Sequence, residues 1–345
     1  MDILLDDLSC KGLLFPFGEV RSVAHIRIGI LTIFEKWQFC FPGRVFILSE
    51  MLRENPDSEF VKYPANLVPS TGFLKRLSSQ EKQIDITPDC KILEYPWQIF
   101  EYNDRAVRMD FEMITKGRIS GTISSSNGVV NVENIFVEPG AKVNFCVLNA
   151  EAGPIYIGKN ADVQEGCLLR GPVSIGEGSR LKMGTKVYGA TTIGPHCLAG
   201  GEIKNSILMA FSNKGHDGYL GDSVIGEWCN LGAGTSNSNL KNNASRVKIW
   251  SRKNNQFVKA GEKCGLLMGD YSRCAINTSF NTGTVVGVCC HVLDDSFPPK
   301  FIDNFSWGKE KYIFDKAVSD IANWKKLKNE EITEPEIQSL KKIYQ

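Results

Sequence analysis

A six-residue repeat runs through the middle of this chain and limits the folds that it can adopt. Counting from Val163, an aliphatic or small residue recurs at every sixth position, often followed by glycine as in Ile175-Gly176 and Ile193-Gly194. A short fixed period is typical of stacked solenoids, and a period of six predicts a parallel β-helix. Antiparallel sheets with glycine turns do not keep phase over so many units, so we predict the β-helix.

Each hexad is expected to supply one short strand and one turn, with its apolar residue stacked on the equivalent residue of the next coil. Glycine or a small polar residue suits the corners, because a positive φ costs such residues little. The predicted inward positions are Ile135, Ala141, Val147, Val163, Leu169, Ile175, Leu181, Val187, Ile193, Ala199, Asn205, Phe211, Met268, Cys274, Phe280, Val286 and Val292. Because each coil buries its residues against its neighbours, we also expect the β-helix to fold without residues 1–105.

The sequence on either side of the repeat has a different pattern. Residues 1–112 mix short apolar runs such as "DILL" and "RVFILS" with helix-like segments, which predicts a small α/β domain. Residues 113–295 form the predicted β-helix domain, and residues 296–345 form a C-terminal helical extension with one apolar face. Thr333 is the predicted N-cap of its second helix. The predicted fold class is therefore mainly β, with an α/β domain before the β-helix and helices after it.

Composition narrows the classes of function. The 345 residues include 40 basic and 39 acidic side chains, and the net charge of +1 gives no basic excess for binding nucleic acid. The first residues lack a basic segment, and no window has the roughly 20 apolar residues that span a bilayer. The cysteines lack metal-binding spacing, and the cluster "VCCHV" has adjacent side chains that face opposite ways on a strand. We therefore expect a cytoplasmic protein without a membrane, nucleic-acid or metal partner.

The repeat loses its register in the stretch "FSNKGHDGYLGD", residues 211–222. The apolar positions resume two residues late after it, so we predict an outward bulge in which Gly215 and Gly218 make the turn. His216 would project from this bulge. A free histidine titrates near neutral pH, which suits a general base, but a histidine in a turn can also serve only as a hydrogen-bonding group. The residues alone leave both roles open.

Longer motifs in this region resemble a known family. The stretches "GEIKNS" and "GHDGYLGDSVIGEWCNLGAGTSNSN" are similar to the acetyltransferase domain of the bifunctional GlmU family, which N-acetylates glucosamine-1-phosphate and then uridylylates it. Segments from "LFPFGEVRSV" to "FSWG" resemble the GlmU-like branch of Bacteroidetes, often described as sugar nucleotidyltransferases. The resemblance implies a left-handed β-helix, a homotrimer, and a transferase of sugar-nucleotide and cell-envelope precursor synthesis.

The resemblance also implies three catalytic residues, with acetyl-CoA as the acyl donor. His216 matches the residue that takes the proton as a substrate amine attacks the acetyl thioester. Glu202 matches a glutamate that orients this imidazole or the sugar. Asn239 matches an asparagine beside the sugar and the thioester.

The implied substrate-binding residues are Lys186, Lys204, Tyr219 and Arg246. Lys204 would neutralise the phosphate of the sugar. Lys186 stands where the family uses an arginine, and a lysine does not bind phosphate in the same bidentate way. The family places a lysine where this chain has Ser245, and Arg246 or Lys248 is near enough in sequence to replace it. This departure leaves the identity of the sugar open.

The N-terminal domain supports a second functional hypothesis. Nucleotidyltransferases hold a triphosphate in a glycine-rich loop after their first strand, and the corresponding "LLFPFGEVRSVAHIRIG" keeps only Gly18 and Arg21. These two residues are the candidate nucleotide-binding residues for UTP or dTTP, with Mg²⁺ as cofactor only if nucleotidyl transfer takes place. Three functions thus stay open: an acetyl-CoA-dependent N-acetyltransferase acting on an amino-sugar phosphate, which we favour, a sugar-1-phosphate nucleotidyltransferase, and a non-catalytic trimeric binding protein.

Overall fold

The computed structural model describes residues 1–51, 60–80, 82–294 and 296–345. Most of the chain winds into a parallel β-helix with three faces, preceded by an α/β domain and followed by two helices. The predicted fold class, a hexapeptide-repeat β-helix with these flanking parts, is confirmed. Within the described residues, no helix is both long enough and apolar enough to cross a membrane.

The three faces of the β-helix are parallel sheets to which successive coils add one strand each. The first face contains Ile135–Val137, Ile155–Ile157, Val173–Ile175, Thr191–Ile193, Ile207–Leu208, Val224–Ile225, Leu266–Met268, Thr284–Val286 and Phe301–Ile302. The second face contains Lys142–Val143, Asp162–Val163, Arg180–Leu181, Leu198–Ala199, Asn213–Lys214, Asn230–Leu231, Arg273–Cys274, His291–Val292 and Ser306–Trp307, to which Glu310–Lys311 adds an antiparallel strand. The third face contains Gly128–Val130, Val147–Asn149, Leu168–Arg170, Lys186–Tyr188, Glu202–Lys204 and Tyr219–Gly221, and the pair Ser236–Asn237 and Ser279–Phe280 lies beyond it. Between these last two strands the chain inserts a hairpin of Lys248–Ser251 and Gln256–Lys259.

Most of the predicted inward positions are confirmed. The positions from Val163 to Ala199 and from Met268 to Val292 lie in one continuous hydrophobic core inside the β-helix. Of the three earliest predicted positions, Ile135 is confirmed as a buried residue of this core, and Ala141 packs against the core while partly exposed. Val147 is wrong, because its side chain is 45% exposed on the third face. The residues that pair with the inward positions of the next coil are Val137, Val143 and Leu148.

The register changes at the corner formed by residues 200–201, before the stretch that suggested a bulge. Ile203 and Leu208 take the inward positions that we predicted for Asn205 and Phe211, so those two predictions are wrong. Asn205 and Phe211 instead have positive φ values of 47° and 62° at corners. Two adjacent glycines allow a tighter corner than the regular coils have, which shortens the coil.

The predicted bulge around His216 is absent from this part of the structure. Lys214 pairs with Ala199 on the second face, and Leu220 pairs with Ile203 on the third. Lys214 and Leu220 are therefore inward residues with the regular six-residue spacing, and the side between them contains no extra residues. His216 lies on the corner between these two faces, where its side chain is exposed.

The N-terminal domain contains a parallel sheet covered by helices. Its strands, in spatial order, are Val45–Ile47, Asp2–Asp6 and Phe60–Pro64, and a separate antiparallel pair joins Leu67–Val68 to Lys91–Ile92. The helices of the chain are α1 (Ile33–Cys40), α2 (Leu48–Met51), α3 (Thr71–Gln80), α4 (Gln98–Glu101), α5 (Asn103–Thr115), α6 (Phe314–Lys326) and α7 (Glu334–Tyr344). Short 3-10 turns occur at Val23–His25 and Val132–Asn134. Thr333 caps α7 through a capping box with Glu336, as predicted.

The division of the chain at residues 112 and 295 stays a prediction about independently folding units. Helix α5 continues to Thr115, and the faces of the β-helix include Phe301–Ile302 and Ser306–Trp307. Residue 295 itself lies outside the described residues.

The N-terminal domain and the first face of the β-helix share one hydrophobic core. The residues that this face contributes from its outer side include Ile207, Val224, Leu267 and Val285. All four are completely buried. Asn103 of α5 also donates a hydrogen bond to the hydroxyl of Thr192 on the same face, at 3.1 Å. A β-helix without its N-terminal domain would expose this surface, which argues against our expectation that it folds without residues 1–105.

The C-terminal helices cover one corner of the β-helix. A column of left-handed residues runs along this corner and includes Phe211, Trp228, Tyr271, Cys289 and Phe305. Helices α6 and α7 pack on this column through Ala317, Ile321 and Leu340. The N-terminal domain and these helices therefore cover the first face and the corner between the first two faces, on the opposite side from the third.

Candidate functional site

Four of the predicted site residues lie side by side on the third face. Lys186, Glu202 and Tyr219 pair in register on three successive coils. Their side chains form one column, with neighbours about 4.8 Å apart along the sheet. Lys204 belongs to a second column on the same face, where it pairs with Tyr188. The structure thus brings together two ammonium groups, a carboxylate and two phenols.

Tyr188, which the sequence analysis missed, holds Glu202 in place. Its hydroxyl donates to Glu202 Oε1 at 2.6 Å. This hydrogen bond to the carboxylate raises the pKa of Tyr188 to about 12, so the phenol stays protonated and remains a donor. The ammonium of Lys204 lies 5.8 Å from the centre of the Tyr188 ring. Tyr188 stands two positions after Lys186 on one strand, and side chains two positions apart on a strand point to the same side of the sheet. This alternation is the signal in the sequence that could have identified Tyr188 as a neighbour of Lys186.

Asn239 joins the group through Tyr219 and Asp222. Its Nδ2 donates to the hydroxyl of Tyr219 at 3.1 Å and also to Oδ2 of Asp222. An ionised carboxylate only accepts hydrogen bonds, so this contact fixes which atom of the amide is the nitrogen. Among the described residues, no side chain donates a hydrogen bond to Asn239 Oδ1, so this oxygen is available as an acceptor.

Asp222 is a second residue that the sequence analysis missed, although it ends the quoted motif "GHDGYLGD". It is buried, and Oδ1 accepts a hydrogen bond from Asn205 Nδ2 at 2.6 Å. Its other oxygen holds Asn239. Burial, together with the negative charges of Asp222 and Glu202, raises the pKa of Tyr219 to about 12, so its hydroxyl also remains protonated at neutral pH.

His216 lies beside this group at the corner where the chain enters the third face. A Cβ atom on Gly201 would lie 2.9 Å from the carbonyl oxygen of His216 and 2.8 Å from that of Gly218. Residues 216–218 therefore stack directly on Gly201, the neighbour of Glu202. The contact is possible because Gly201 has no side chain and a φ of +75°. The backbone of His216 thus lies one coil after the strand that carries Glu202, and its imidazole is exposed.

Arg246 is the one predicted substrate-binding residue that the structure does not bring into this group. It lies exposed on the insertion between residues 238 and 264, next to Val247, which is buried in the core shared with the N-terminal domain. Within the described parts of the chain, neither Arg246 nor Lys248 has a side-chain hydrogen bond or ion pair with the third-face residues. Replacement of the lysine missing at Ser245 by either residue stays a prediction.

The candidate nucleotide-binding residues have structural contacts of their own. The guanidinium of Arg21 forms ion pairs with Glu227 and with Asp270, the second at 2.6 Å. Burial raises the pKa of Asp270 to about 6, and Arg21 opposes this rise. Gly18 has a φ of +81°, and a Cβ there would lie 2.6 Å from Val23. Arg21 therefore ties the N-terminal domain to the β-helix, and its charge is already neutralised.

A cavity of about 670 Å³ lies next to Gly18 and Arg21. The N-terminal domain, the inserted hairpin and helix α7 all contribute to its lining, which includes Lys11, Arg252 and Lys342. Nucleotidyl transfer would also need Mg²⁺. In the described ranges, no group of three or more His, Cys, Asp or Glu side chains is placed to hold a metal ion.

Parts of the chain are similar to known sugar nucleotidyl transferases and to bifunctional sugar-phosphate enzymes. A family model described as "Sugar nucleotidyl transferase" matches residues 64–119. The bifunctional protein GlmU of Methanocaldococcus jannaschii is 33% identical over 117 residues, which cover 33% of this chain and 28% of that protein. A bifunctional sugar-1-phosphate nucleotidylyltransferase/acetyltransferase of Sulfurisphaera tokodaii is 31% identical over 186 residues, covering 48% of this chain and 46% of that protein. The chain spans less than half the length of these relatives.

Among solved structures, a UDP-N-acetylglucosamine acyltransferase of Arabidopsis matches with a TM-score of 0.34 and 12% identity. The match covers 58% of this chain and 76% of that one.

Proposed function

We propose that this chain, a transferase related to the bifunctional GlmU proteins, moves an acetyl group from acetyl-CoA to the amine of an amino-sugar phosphate. The observation that carries the proposal is the polar group on the third face. It combines cations suited to a phosphate, acceptors suited to an amine or hydroxyl, and an exposed histidine suited to proton transfer.

In the proposed reaction the amine nitrogen attacks the carbonyl carbon of the thioester, and His216 takes one proton from that nitrogen. The tetrahedral intermediate then expels the thiolate of coenzyme A, which is protonated to the thiol, and an amide remains on the sugar. The Glu202 carboxylate and Asn239 Oδ1 accept hydrogen bonds from the sugar. Lys186 and Lys204 bind its phosphate through charge-assisted hydrogen bonds.

The two lysines should act on binding more than on the chemical step. Lys204→Ala should raise the KM for the amino-sugar phosphate about 10-fold or more, since a hydrogen bond to a charged group contributes about 1.5–3 kcal/mol. The effect should shrink at high salt, where phosphate attraction is screened. Steady-state kinetics at two ionic strengths measure it, with Lys159→Ala as a matched control, because Lys159 is exposed on another corner. A Lys204→Ala enzyme with the wild-type KM at low salt would contradict the assignment.

We further propose that the protein assembles as a homotrimer in which the third face meets a neighbouring copy. Apolar side chains are exposed in the coils before the site, both on this face and on the corner between the second and third faces. They are Phe145, Val147, Leu168 and Met183. Leu168 and Lys186 pair in register, so the apolar strip continues directly into the polar group. A neighbouring subunit on this strip would exclude water from the site and strengthen its charge interactions.

Introducing charge into the strip should break this assembly. The double variant Leu168→Glu with Met183→Glu should be monomeric at micromolar concentration, while the wild type has the mass of a trimer in light scattering. Leu327→Glu is the control, because Leu327 is exposed after helix α6, away from the strip. A wild type that is itself monomeric would refute the trimer proposal, and a trimeric double variant would show that another surface forms the contact.

Nucleotidyl transfer is the second candidate function, and the match of the family model to residues 64–119 favours it. The ion pairs of Arg21 weigh against it, because Arg21 is the basic residue proposed to bind the triphosphate and its charge is already paired with Glu227 and Asp270. A thermal-shift panel with acetyl-CoA, UTP, dTTP and several sugar phosphates separates the candidates. Stabilisation by a nucleoside triphosphate and not by acetyl-CoA would favour nucleotidyl transfer, and no stabilisation by either would favour a non-catalytic trimer.

A further inference from the structure

A lysine occupies the interior of the β-helix in the coil that carries His216. Lys214 is only 2% exposed and pairs with Ala199 on the second face. The residues that take this inward position in the coils before and after it are aliphatic or small: Val143, Val163, Leu181, Ala199, Leu231, Cys274 and Val292. A buried lysine is costly unless its ammonium is hydrogen-bonded, so its presence in this stack needs a reason.

The ammonium of Lys214 binds two backbone carbonyls at the corner between the second and third faces. Nζ donates to the oxygen of Gly200 at 3.1 Å and to the oxygen of His216 at 2.5 Å. Gly200 belongs to the preceding coil, so the lysine ties His216 to the coil that carries Glu202.

In other coils a different kind of donor serves this corner. A thiol or hydroxyl, placed two positions before the inward residue of the third face, donates to the corner carbonyl. These donors are Cys146 to Gln164, Cys167 to Lys182, Thr185 to Lys182 and Thr278 to Ala275. In the two coils of the candidate site, the equivalent positions are Gly201 and Gly218. Glycine has no side chain to donate.

Close packing of the backbone explains why these two positions are glycine. A Cβ on Gly201 would lie 2.8 Å from the oxygen of Gly218, and a Cβ on Gly218 would lie 2.0 Å from the oxygen of Thr235. The coils approach too closely here for a serine, threonine or cysteine. The donor therefore has to come from an inward position of the second face. A long side chain is needed there to reach the carbonyl oxygens of Gly200 and His216.

We propose that Lys214 is the positioning residue that holds the backbone of His216 at the active site. The inference rests on the proposed acetyl transfer, since it assigns Lys214 a part in that reaction through His216. Burial lowers the pKa of Lys214 to about 8, which leaves the ammonium mostly protonated at neutral pH, with three N–H donors. The ammonium lies inside the β-helix, where it donates to two backbone carbonyls, so Lys214 would act through His216 and not on the substrate directly.

Lys214→Met tests this role, because methionine fills a similar volume in the stack and donates no hydrogen bond. We expect kcat to fall about 10–100-fold, with the KM for the amino-sugar phosphate changed less than threefold, as for a misplaced catalytic group. Cys146→Ala is the matched control, since it removes a corner donor from a coil away from His216, and its kcat should stay at the wild-type value.

The double variant Lys214→Met with His216→Ala separates positioning from general stability. If Lys214 acts through His216, the double variant should have the kcat of His216→Ala within about twofold. An equal loss in both backgrounds, or a wild-type kcat for Lys214→Met, would overturn the proposal. Should Lys214→Met give no cooperative thermal transition, Lys214→Gln replaces it. Its shorter amide reaches at most one carbonyl, so a smaller loss with the same dependence on His216 is expected.

A measurement without turnover keeps this inference distinct from the proposed function. The chain has four histidines, so the His216 imidazole signals in NMR spectra are assigned by their loss in His216→Ala. They should shift or broaden in Lys214→Met and stay unchanged in Cys146→Ala. This result would support the positioning role even if the wild type acetylates none of the amino sugars offered. Unchanged His216 signals in Lys214→Met would contradict the role, whatever the activity.

Discussion

Replacing His216 by alanine should lower kcat for acetyl transfer by about 10²–10⁴-fold, the range typical of one positioned proton acceptor. The KM for the sugar should change much less, because proton removal stabilises mainly the transition state. The wild-type rate should fall at acidic pH, since an imidazolium cannot accept a proton, and this acidic limb should be lost in the variant. Steady-state kinetics across a pH series with acetyl-CoA and glucosamine-1-phosphate measure all three effects.

The stability of the His216 variant should stay close to that of the wild type. The side chain is exposed, and the backbone of residues 216–218 is held by Lys214 and by stacking on Gly201. His25→Ala is the matched control, because His25 is partly exposed in the N-terminal domain, where it contacts Glu50. Equal turnover by the His216 variant and the wild type, with each amino-sugar phosphate that they accept, would falsify the catalytic assignment.

Removing residues 1–116 should leave a β-helix that does not remain soluble and folded. The deletion exposes Ile207, Val224, Leu267 and Val285, and full burial of such side chains contributes about 1.5–3 kcal/mol each. The sum of roughly 6–12 kcal/mol is comparable to the whole stability of a typical domain. The deletion also removes Arg21, the ion-pair partner of the buried Asp270 carboxylate. Expression in the soluble fraction and thermal unfolding measure the loss.

A second truncated chain tests the cause of this loss. Changing the four exposed residues to threonine keeps a β-branched side chain on the strand and makes the outer side of the first face polar. If exposed apolar surface causes the loss, the quadruple variant of the truncated chain should recover solubility. A truncated chain that is soluble without these changes, and melts cooperatively within a few degrees of the full chain, would instead support independent folding of the β-helix.

The regular part of the β-helix could be predicted from the sequence because its signal is local. Each inward residue from Val163 to Ala199 stands six positions from the next, and the parallel register follows from that spacing alone. The same counting failed at Gly200 and Gly201, where a pair of glycines takes a tight corner. A strict period placed Phe211 inside and left Lys214 unnoticed.

The polar group of the candidate site was also partly readable from the sequence. Motif resemblance singled out Lys186, Glu202, Lys204 and Tyr219, and parallel register then places them on one face. Tyr188 was missed because the resemblance pointed to other residues. The catalytic and binding roles of the residues that the resemblance singled out remain predictions.

The contacts of the N-terminal domain could not be predicted in this way. Arg21 matched the basic residue of a phosphate loop in sequence, but its charge is neutralised by Glu227 and Asp270. Lys36 follows an acidic residue in the sequence, yet it is buried in an ion pair with Asp110. Both contacts join residues far apart in the chain, and neither leaves a local pattern.

The core shared between the first residues and the late coils has a consequence for synthesis on the ribosome. Arg21 and Asp270 are 249 positions apart, and Leu267 and Val285 of the shared core are translated equally late. At a translation rate of 5–20 residues per second, roughly 10–50 s pass between synthesis of the N-terminal domain and synthesis of the β-helix surface that covers it. During this interval its apolar side is open to chaperones and to other nascent chains. Slower translation of the late coils should therefore lower the yield of native protein more than slower translation of the last helices.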